Sequence, residues 1–398
     1  MNKEFFPIFA NHKNPLIYLD NASTTQKPKI MSEAMTYFYE NFNSNIGRSA
    51  YKLAHEAEQV YEKSRANIAN FFNTNKENIT FSLGATHSLN MIVHILSKKI
   101  PEGSKIVLSI LDHHANILPW QVLAKEKNLQ LIYIDDFKQL ANPEDIPESF
   151  FENVSVVALP HVTNTTGQIL PVENWIKLTR KKGIFSVIDG SQAVCSFPLN
   201  LSELKADFYV FSAHKLYGPM GLGILYISKD LIKSSSPLIV GGGIIEDVDK
   251  KDFTLIDNIR KFEAGTPNIA NVYAFSEVLT WLQHMNWQDD LSRIKILNNK
   301  TKEQLLQLDY IKPIIIENLL PTTHIFSFNI KNVHAHDVGT YLDEKGICVR
   351  VGKHCAYPLH EHLNINSSIR ASWGVYNDEV DLSAFLQCIV DCYNFFKD

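Results

Sequence analysis

Cysteine is scarce in this chain. Cys195, Cys348, Cys355, Cys388 and Cys392 are five among 398 residues. A sparse, odd-numbered set argues against a disulfide framework and fits reduced thiols. Long apolar runs are missing too: none approaches the roughly 18 residues that a spanning helix needs, so no membrane partner is expected. The first residues, MNKEFFPIFANHKN, lack the basic start, apolar block and small-residue cleavage site of an export signal. A large excess of one charge is also absent. Lys and Arg number 38 against 43 Asp and Glu, a formal net charge of -5. That balance gives no reason to expect nucleic acid as a partner. The expectation from these absences is a cytoplasmic chain.

What is present is an ordinary enzyme-like composition, 45% hydrophobic and 20% charged, in a length that suggests two or more domains. Short apolar runs alternate with helix-length segments between about residues 78 and 228. The expected strands are Ile79–Ser82, Lys105–Ile110, Gln130–Ile134, Val154–Leu159, Phe185–Ile188, Phe208–Phe211 and Gly223–Ile227. Amphipathic stretches such as Thr86–Ser97, Asn116–Lys127 and Val172–Lys182 lie between several of them. Apolar, non-alternating strands of this kind predict an α/β fold whose mostly parallel sheet is covered by helices. An earlier helix is expected over Ala54–Phe72. After Asn268 the pattern shifts to a smaller α+β unit, with strands near His324–Ile330, Ile347–Val351 and Ser368–Ser372 and a closing helix over Asn377–Phe396.

Six constellations carry chemistry. Gly84-Ala85-Thr86-His87-Ser88 follows a strand and opens a helix, a place suited to a phosphate or to a plain helix cap. Asp189 closes an apolar strand and calls for a cation, either a protonated pyridine nitrogen or an arginine. Asp112-His113-His114-Ala115-Asn116 again follows a strand. There an imidazole can stack on a planar group or shuttle a proton; His113 reads as structural, and His114 stays open. Ser212-Ala213-His214-Lys215 ends the strand Phe208–Phe211, so Lys215 reads as a solvated lysine or as a Schiff-base lysine. Cys355 lies among Arg350, Lys353 and His354, cations that favour a thiolate nucleophile. A metal site of His354, Cys355, His360 and His362 is the rival there, but no second ligand pair of zinc spacing accompanies it. Finally, Arg370 in Ser368–Ser372 can present its fork to a carboxylate, and Gly265-Thr266-Pro267 is a turn able to face an anion.

The order and spacing of these signals matter more than any one of them. Gly84-Ala85-Thr86, His114, Asp189-x-x-Gln192, Ser212-x-His214-Lys215 and Phe262–Asn268 together resemble the class V aminotransferase family, which uses pyridoxal 5'-phosphate on a fold-type I scaffold. Arg350-x-Gly352-x-His354-Cys355-Ala356-x-Pro358-Leu359, followed by Arg370-Ala371-Ser372, is similar to the group II cysteine desulfurases of the Suf type. Tyr18–Pro28 and His113–Gln121 resemble that group as well. The resemblance implies a large cofactor-binding domain over 16–285 with a seven-stranded sheet. It implies a small domain over 286–398, with residues 1–15 packed against it.

It also implies roles. Lys215 holds the cofactor covalently and moves the substrate Cα proton. Asp189 pairs the pyridinium nitrogen, His114 stacks on the ring, and Gln192 and Asn164 approach the ring hydroxyl. Ala85, Thr86, Ser212 and His214 take the phosphate, and Thr266 reaches the phosphate of a neighbouring subunit in a homodimer. Arg370 clamps the carboxylate of L-cysteine, with Arg350 and Asn164 beside it, and Cys355 takes the sulfur. A sulfur acceptor of the SufE/SufU type would follow, in iron–sulfur cluster assembly. A selenocysteine lyase, another class V lyase or aminotransferase, and an idle sulfur-transfer scaffold are the alternatives. Two departures stand out. The family's His-Arg-Gly-x-His run reads Gly47-Arg48-Ser49-Ala50-Tyr51 here, and its Gly-Thr-Thr-Glu phosphate motif reads Gly84-Ala85-Thr86-His87.

Overall fold

The computed structural model describes residues 1–47, 50–314 and 320–397. Arg48 and Ser49, the centre of the first departure, lie outside the described residues. The large sheet contains β1 (Ile79–Ser82), β2 (Lys105–Ser109), β3 (Gln130–Ile134), β4 (Val154–Pro160), β5 (Phe185–Asp189), β6 (Phe208–Ser212) and β7 (Gly223–Ile227). Their spatial order is β1-β7-β6-β5-β4-β2-β3. All neighbours are parallel except those of β7, which runs antiparallel to both β1 and β6. Every residue of β6 and β7 is buried, as strands covered on both faces must be. Lys105 pairs with both Gln130 and Val154, so β2 lies inside the sheet.

The sequence spacing anticipates these strands to within a residue or so at each end. It does not reveal the reversed β7, because a buried apolar strand reads the same in either direction. Nor does it anticipate the helix Lys29–Asn41 or the hairpin of Ile245–Val248 with Phe253–Leu255. The expected strand Ile347–Val351 divides in two: Ile347–Cys348 pairs with Ile17–Tyr18, and Arg350–Gly352 pairs with Ser368–Ser372.

The second sheet has four strands, β8 (Ile311–Pro313), β9 (Ile325–Ile330), β10 (Arg350–Gly352) and β11 (Ser368–Ser372), in the antiparallel order β8-β9-β11-β10. The C-terminal helix Glu379–Phe396 starts where the Asp378 side chain accepts the N–H groups of Val380 and Asp381. The N-terminal segment straps the two units together. The Met1 amine pairs with Asp290, Lys3 with Asp381, and the Phe6 ring packs on Tyr376, Tyr217 and Trp281. Asp20 then bridges to Ser372 in the small sheet. This strap carries Asp20–Lys27 to the carboxyl edge of the large sheet.

Candidate active site

The chain ends of β1, β2, β4, β5 and β6 converge on one cavity of about 310 Å³. Such an edge is where open α/β sheets present polar side chains. Asp189 ends β5, and its Oδ1 accepts the Ser191 N–H at 2.9 Å. The next residue must be glycine, because a Cβ on Gly190 would lie 2.0 Å from the Tyr209 ring. Ser212 ends β6, and its hydroxyl accepts the Ala85 N–H at 2.8 Å. That bond ties the lysine turn to the start of the helix Ala85–Ser97, whose free N–H groups favour an anion.

Lys215 sits in the turn Ala213–Lys215. Four donors converge on the His214 carbonyl that precedes it: the Thr25 N–H at 3.1 Å, Lys27 Nζ at 2.8 Å, and the Thr24 and Thr25 hydroxyls at 3.2 and 3.1 Å. Burial pulls the Lys215 pKa down, and Asp189 nearby pushes it back up. Burial also brings Lys27 down to about 7 and His214 to about 4.

The facing wall comes from the small unit. His354 and Cys355 both adopt the left-handed conformation, at φ 50 and 54. Non-glycine residues in that region carry local strain, so the surroundings must hold them. Three hydrogen bonds from the large unit do so. Asn164 Nδ2 donates to the His354 carbonyl at 2.6 Å, the His114 N–H donates to the Cys355 carbonyl at 2.9 Å, and the Tyr357 N–H donates to His114 Nε2 at 3.2 Å. Behind them the Ser368 hydroxyl lies 2.9 Å from His354 Nε2 and 3.1 Å from His360 Nε2. Cys355 itself is exposed and lines the same cavity as Lys215.

The structure brings Lys215, Asp189, Gln192, Ala85, Thr86, Ser212, His214, Asn164, Arg350, Arg370 and Cys355 to this one cavity. It does not bring His114 there. His113 lines the cavity, and burial together with the Lys215 charge lowers its pKa to about 4. His114 faces the other way, with its ring 5.0 Å from Tyr357. The physical reason is local. His113 is the extended residue that caps the short turn His114–Asn116, and its Nδ1 accepts the Ala115 N–H, so consecutive side chains diverge. Of the two histidines, His113 is the one that lines the cavity. Thr266 is exposed and outside this cavity. His360 is committed to Ser368 and the Ala356 carbonyl, and His362 packs on Phe137. Among the described residues no three His, Cys, Asp or Glu side chains form a metal-binding group.

Sequence reasoning also passed over Asp20, Ser23 and Lys27. All lie in the stretch Tyr18–Pro28, which resembles the family but carries no chemical pattern of its own. The second departure from the family pattern has a structural use: His87 Nδ1 accepts the Leu83 N–H at 3.2 Å.

Whether these residues suit pyridoxal phosphate can be judged from their unmet hydrogen bonds. Gln192 Oε1, Asn164 Oδ1, His214 Nδ1, His354 Nδ1 and Arg370 Nε are buried without a partner, and all five residues line the cavity. Buried polar atoms are seldom left unpaired, so a polar occupant fits. An acid for a pyridinium, an amine for an aldehyde and a helix start for a phosphate stand at three points of the same space.

The family described as Aminotransferase class-V matches residues 17–385. A probable cysteine desulfurase of Pyrococcus abyssi is 36% identical over 376 residues, covering 93% of this chain and 92% of the relative. A probable cysteine desulfurase of Vibrio cholerae serotype O1 is 34% identical over 388 residues, covering 94% and 93%. The solved apo structure of the cysteine desulfurase from Thermococcus onnurineus NA1 superposes with a TM-score of 0.92 at 32% identity, covering 99% of this chain and 98% of that one. The chain belongs to the class V aminotransferase family, among relatives named as cysteine desulfurases.

Proposed function

We propose that this protein is a pyridoxal-phosphate-dependent cysteine desulfurase of the Suf type, converting L-cysteine to L-alanine and leaving a persulfide on Cys355. The observation that carries the reading is that Lys215, Asp189 and Cys355 line one and the same cavity. Many relatives of this fold need the first pair; only sulfur transfer needs the thiol.

Lys215 would hold the cofactor, Asp189 its ring nitrogen, His113 its ring face, Gln192 its ring hydroxyl, and Ala85, Thr86, Ser212 and His214 its phosphate. Bound there, the cofactor supplies an electron sink for the carbon next to the amino group. Arg370 takes the substrate carboxylate, with Arg350 and Asn164 alongside. Lys215 Nζ then removes the Cα proton, a step in which a positioned base is worth about 10²–10⁴-fold. Its lowered pKa suits it to that work, because more of it is neutral near pH 7 than for a free lysine. The Cys355 thiolate attacks the substrate sulfur. A sulfur–sulfur bond forms, the carbon–sulfur bond breaks, and its electron pair goes to the substrate Cβ, which takes a proton; Lys215 then returns a proton to Cα, and alanine leaves.

The wider setting belongs to the same proposal. The persulfide passes to an acceptor of the SufE/SufU type, supplying sulfur for iron–sulfur cluster assembly in the cytoplasm. Among the described residues no helix is long and apolar enough to cross a membrane. The chain divides into a large domain over 16–285 and a small one over 286–398. It works as a homodimer in which Thr266 serves the neighbouring phosphate. Leu83 and Met220, 70% and 63% exposed, line the cleft beside the phosphate position and suit a subunit contact. The test is alanine and sulfide release from L-cysteine by wild type and Cys355→Ala. The variant is expected to keep the cofactor's absorbance band and lose sulfide release; undiminished sulfide would overturn the proposal.

A further inference from the structure

Cys355 is flanked in the chain by His354 and Ala356, and a hydrogen-bonded path joins those two neighbours around it. The Ala356 carbonyl lies 2.9 Å from His360 Nδ1, His360 Nε2 lies 3.1 Å from the Ser368 hydroxyl, and the same hydroxyl lies 2.9 Å from His354 Nε2. His354, His360 and Ser368 are all buried. No step of the proposed reaction uses this path.

The path has one direction. A carbonyl can only accept, so His360 Nδ1 carries the hydrogen. Burial lowers the His360 pKa, and burial together with the Arg370 charge brings His354 down to about 2, so both rings are neutral near pH 7. A neutral imidazole has one N–H. His360 Nε2 is therefore an acceptor, and the Ser368 hydroxyl points its single hydrogen there. The hydroxyl oxygen in turn accepts the His354 Nε2–H. Reversing any one of these bonds would set two donors or two acceptors against each other in a buried place.

This path bears on a strained turn. His354 and Cys355 are both left-handed, at φ 50 and 54, and such strain persists only where the surroundings over-determine it. The large unit holds the turn through Asn164 and His114. The path holds it from the small unit, by a side chain on one flank of Cys355 and by a carbonyl on the other. Ser368, its middle member, stands two residues before Arg370 on β11, and alternate residues of a strand share a face. The strand that carries the proposed carboxylate clamp therefore also pins the thiol loop.

We infer that Ser368 and His360, acting through the His354 ring, are positioning residues that hold the Cys355 thiol where it can attack the substrate sulfur. The inference rests on the function proposed above. Neither residue lines the cavity, so the proton step at Lys215 proceeds without them.

Two reactions of the holoenzyme separate this role from a general structural one. L-Alanine carries no sulfur, and exchange of its Cα hydrogen in deuterium oxide reads Lys215, Arg370 and the cofactor without Cys355. Sulfur transfer is read as persulfide formed on Cys355 in a single turnover with L-cysteine. Ser368→Ala is expected to slow persulfide formation by about tenfold, the scale of one or two buried hydrogen bonds lost, and to leave alanine exchange unchanged. Ser368→Thr keeps the hydroxyl and is expected to restore most of the rate. His360→Leu breaks the path at its other end and is expected to act as Ser368→Ala does; if Ser368→Ala yields no folded protein, His360→Leu decides the matter alone. Three results overturn the inference: wild-type persulfide formation in either folded, cofactor-loaded variant that breaks the path, a loss of exchange that matches the loss of sulfur transfer, or a Ser368→Thr variant no faster than Ser368→Ala. A wild type that exchanges no alanine hydrogen, or forms no persulfide on Cys355, overturns instead the proposed function beneath it.

Discussion

The Lys215 turn and the Cys355 loop line one cavity and are built by opposite means. The turn grows directly out of a fully buried strand. Its backbone is over-determined, with four donors on the His214 carbonyl and the Ser212 hydroxyl tied to Ala85. The loop leaves a short strand of the small sheet, carries two consecutive left-handed residues, and exposes its thiol. It is held in place by Asn164, by the His114 backbone and by the His114 ring, all borrowed from the large unit. A group that anchors a cofactor through every turnover gains from rigidity. On the proposed function, a group that collects a sulfur atom and passes it on gains from exposure, and so depends on its docking bonds for aim.

The largest effect should come from breaking the rigid side. Lys215→Ala is expected to lower alanine formation by about 10⁴-fold, the upper range for a positioned base, and to abolish covalent retention of the cofactor, measured by absorbance after gel filtration. Asp189→Asn removes the charge opposite the ring nitrogen and should cost about 10²–10³-fold in kcat, as for other preorganised electrostatic partners. The two histidines separate the walls. His113→Ala should lower kcat and alter the cofactor spectrum. His114→Ala should leave the spectrum unchanged and slow only sulfur transfer to Cys355, seen as slower persulfide formation at unchanged cofactor occupancy. If His114→Ala changed the spectrum and His113→Ala did not, the assignment of the ring face to His113 would be wrong.

A smaller effect concerns pH. Burial lowers the Lys215 pKa, so the neutral amine that captures the cofactor is present below the range of a free lysine. The rate of cofactor capture by the apo protein should therefore rise with pH and level off before the ordinary lysine value near 10.4. A rise that continues past that value would contradict the burial argument. The mildest change expected is Lys27→Met, which removes one of the four donors on the His214 carbonyl. It should weaken cofactor retention by about 3–10-fold, the scale of one net hydrogen bond, and leave Cys355 alkylation by iodoacetamide unaltered.

The same contrast explains what was legible in the sequence. The strands ending in Asp189 and Ser212 are continuous apolar runs, so their ends, and the chemistry placed there, can be read from order and spacing. The direction of β7 cannot, since burial on both faces erases any directional signal. Which of His113 and His114 turns inward depends on a one-residue cap geometry after β2, below the resolution of periodicity. Asp20, Ser23 and Lys27 act only after the N-terminal strap crosses to partners about 190 to 350 positions away in the chain. No local pattern announces such contacts.

The central claim is that Lys215 and Cys355 act on one substrate in one cavity. The most direct measurement is a single-turnover reaction with L-cysteine, quenched by alkylation and followed by peptide mass analysis alongside alanine quantification. The account predicts one added sulfur atom on the Cys355 peptide for each alanine formed. Alanine formed with the sulfur on another cysteine, or released with Cys355 unmodified throughout, would contradict it.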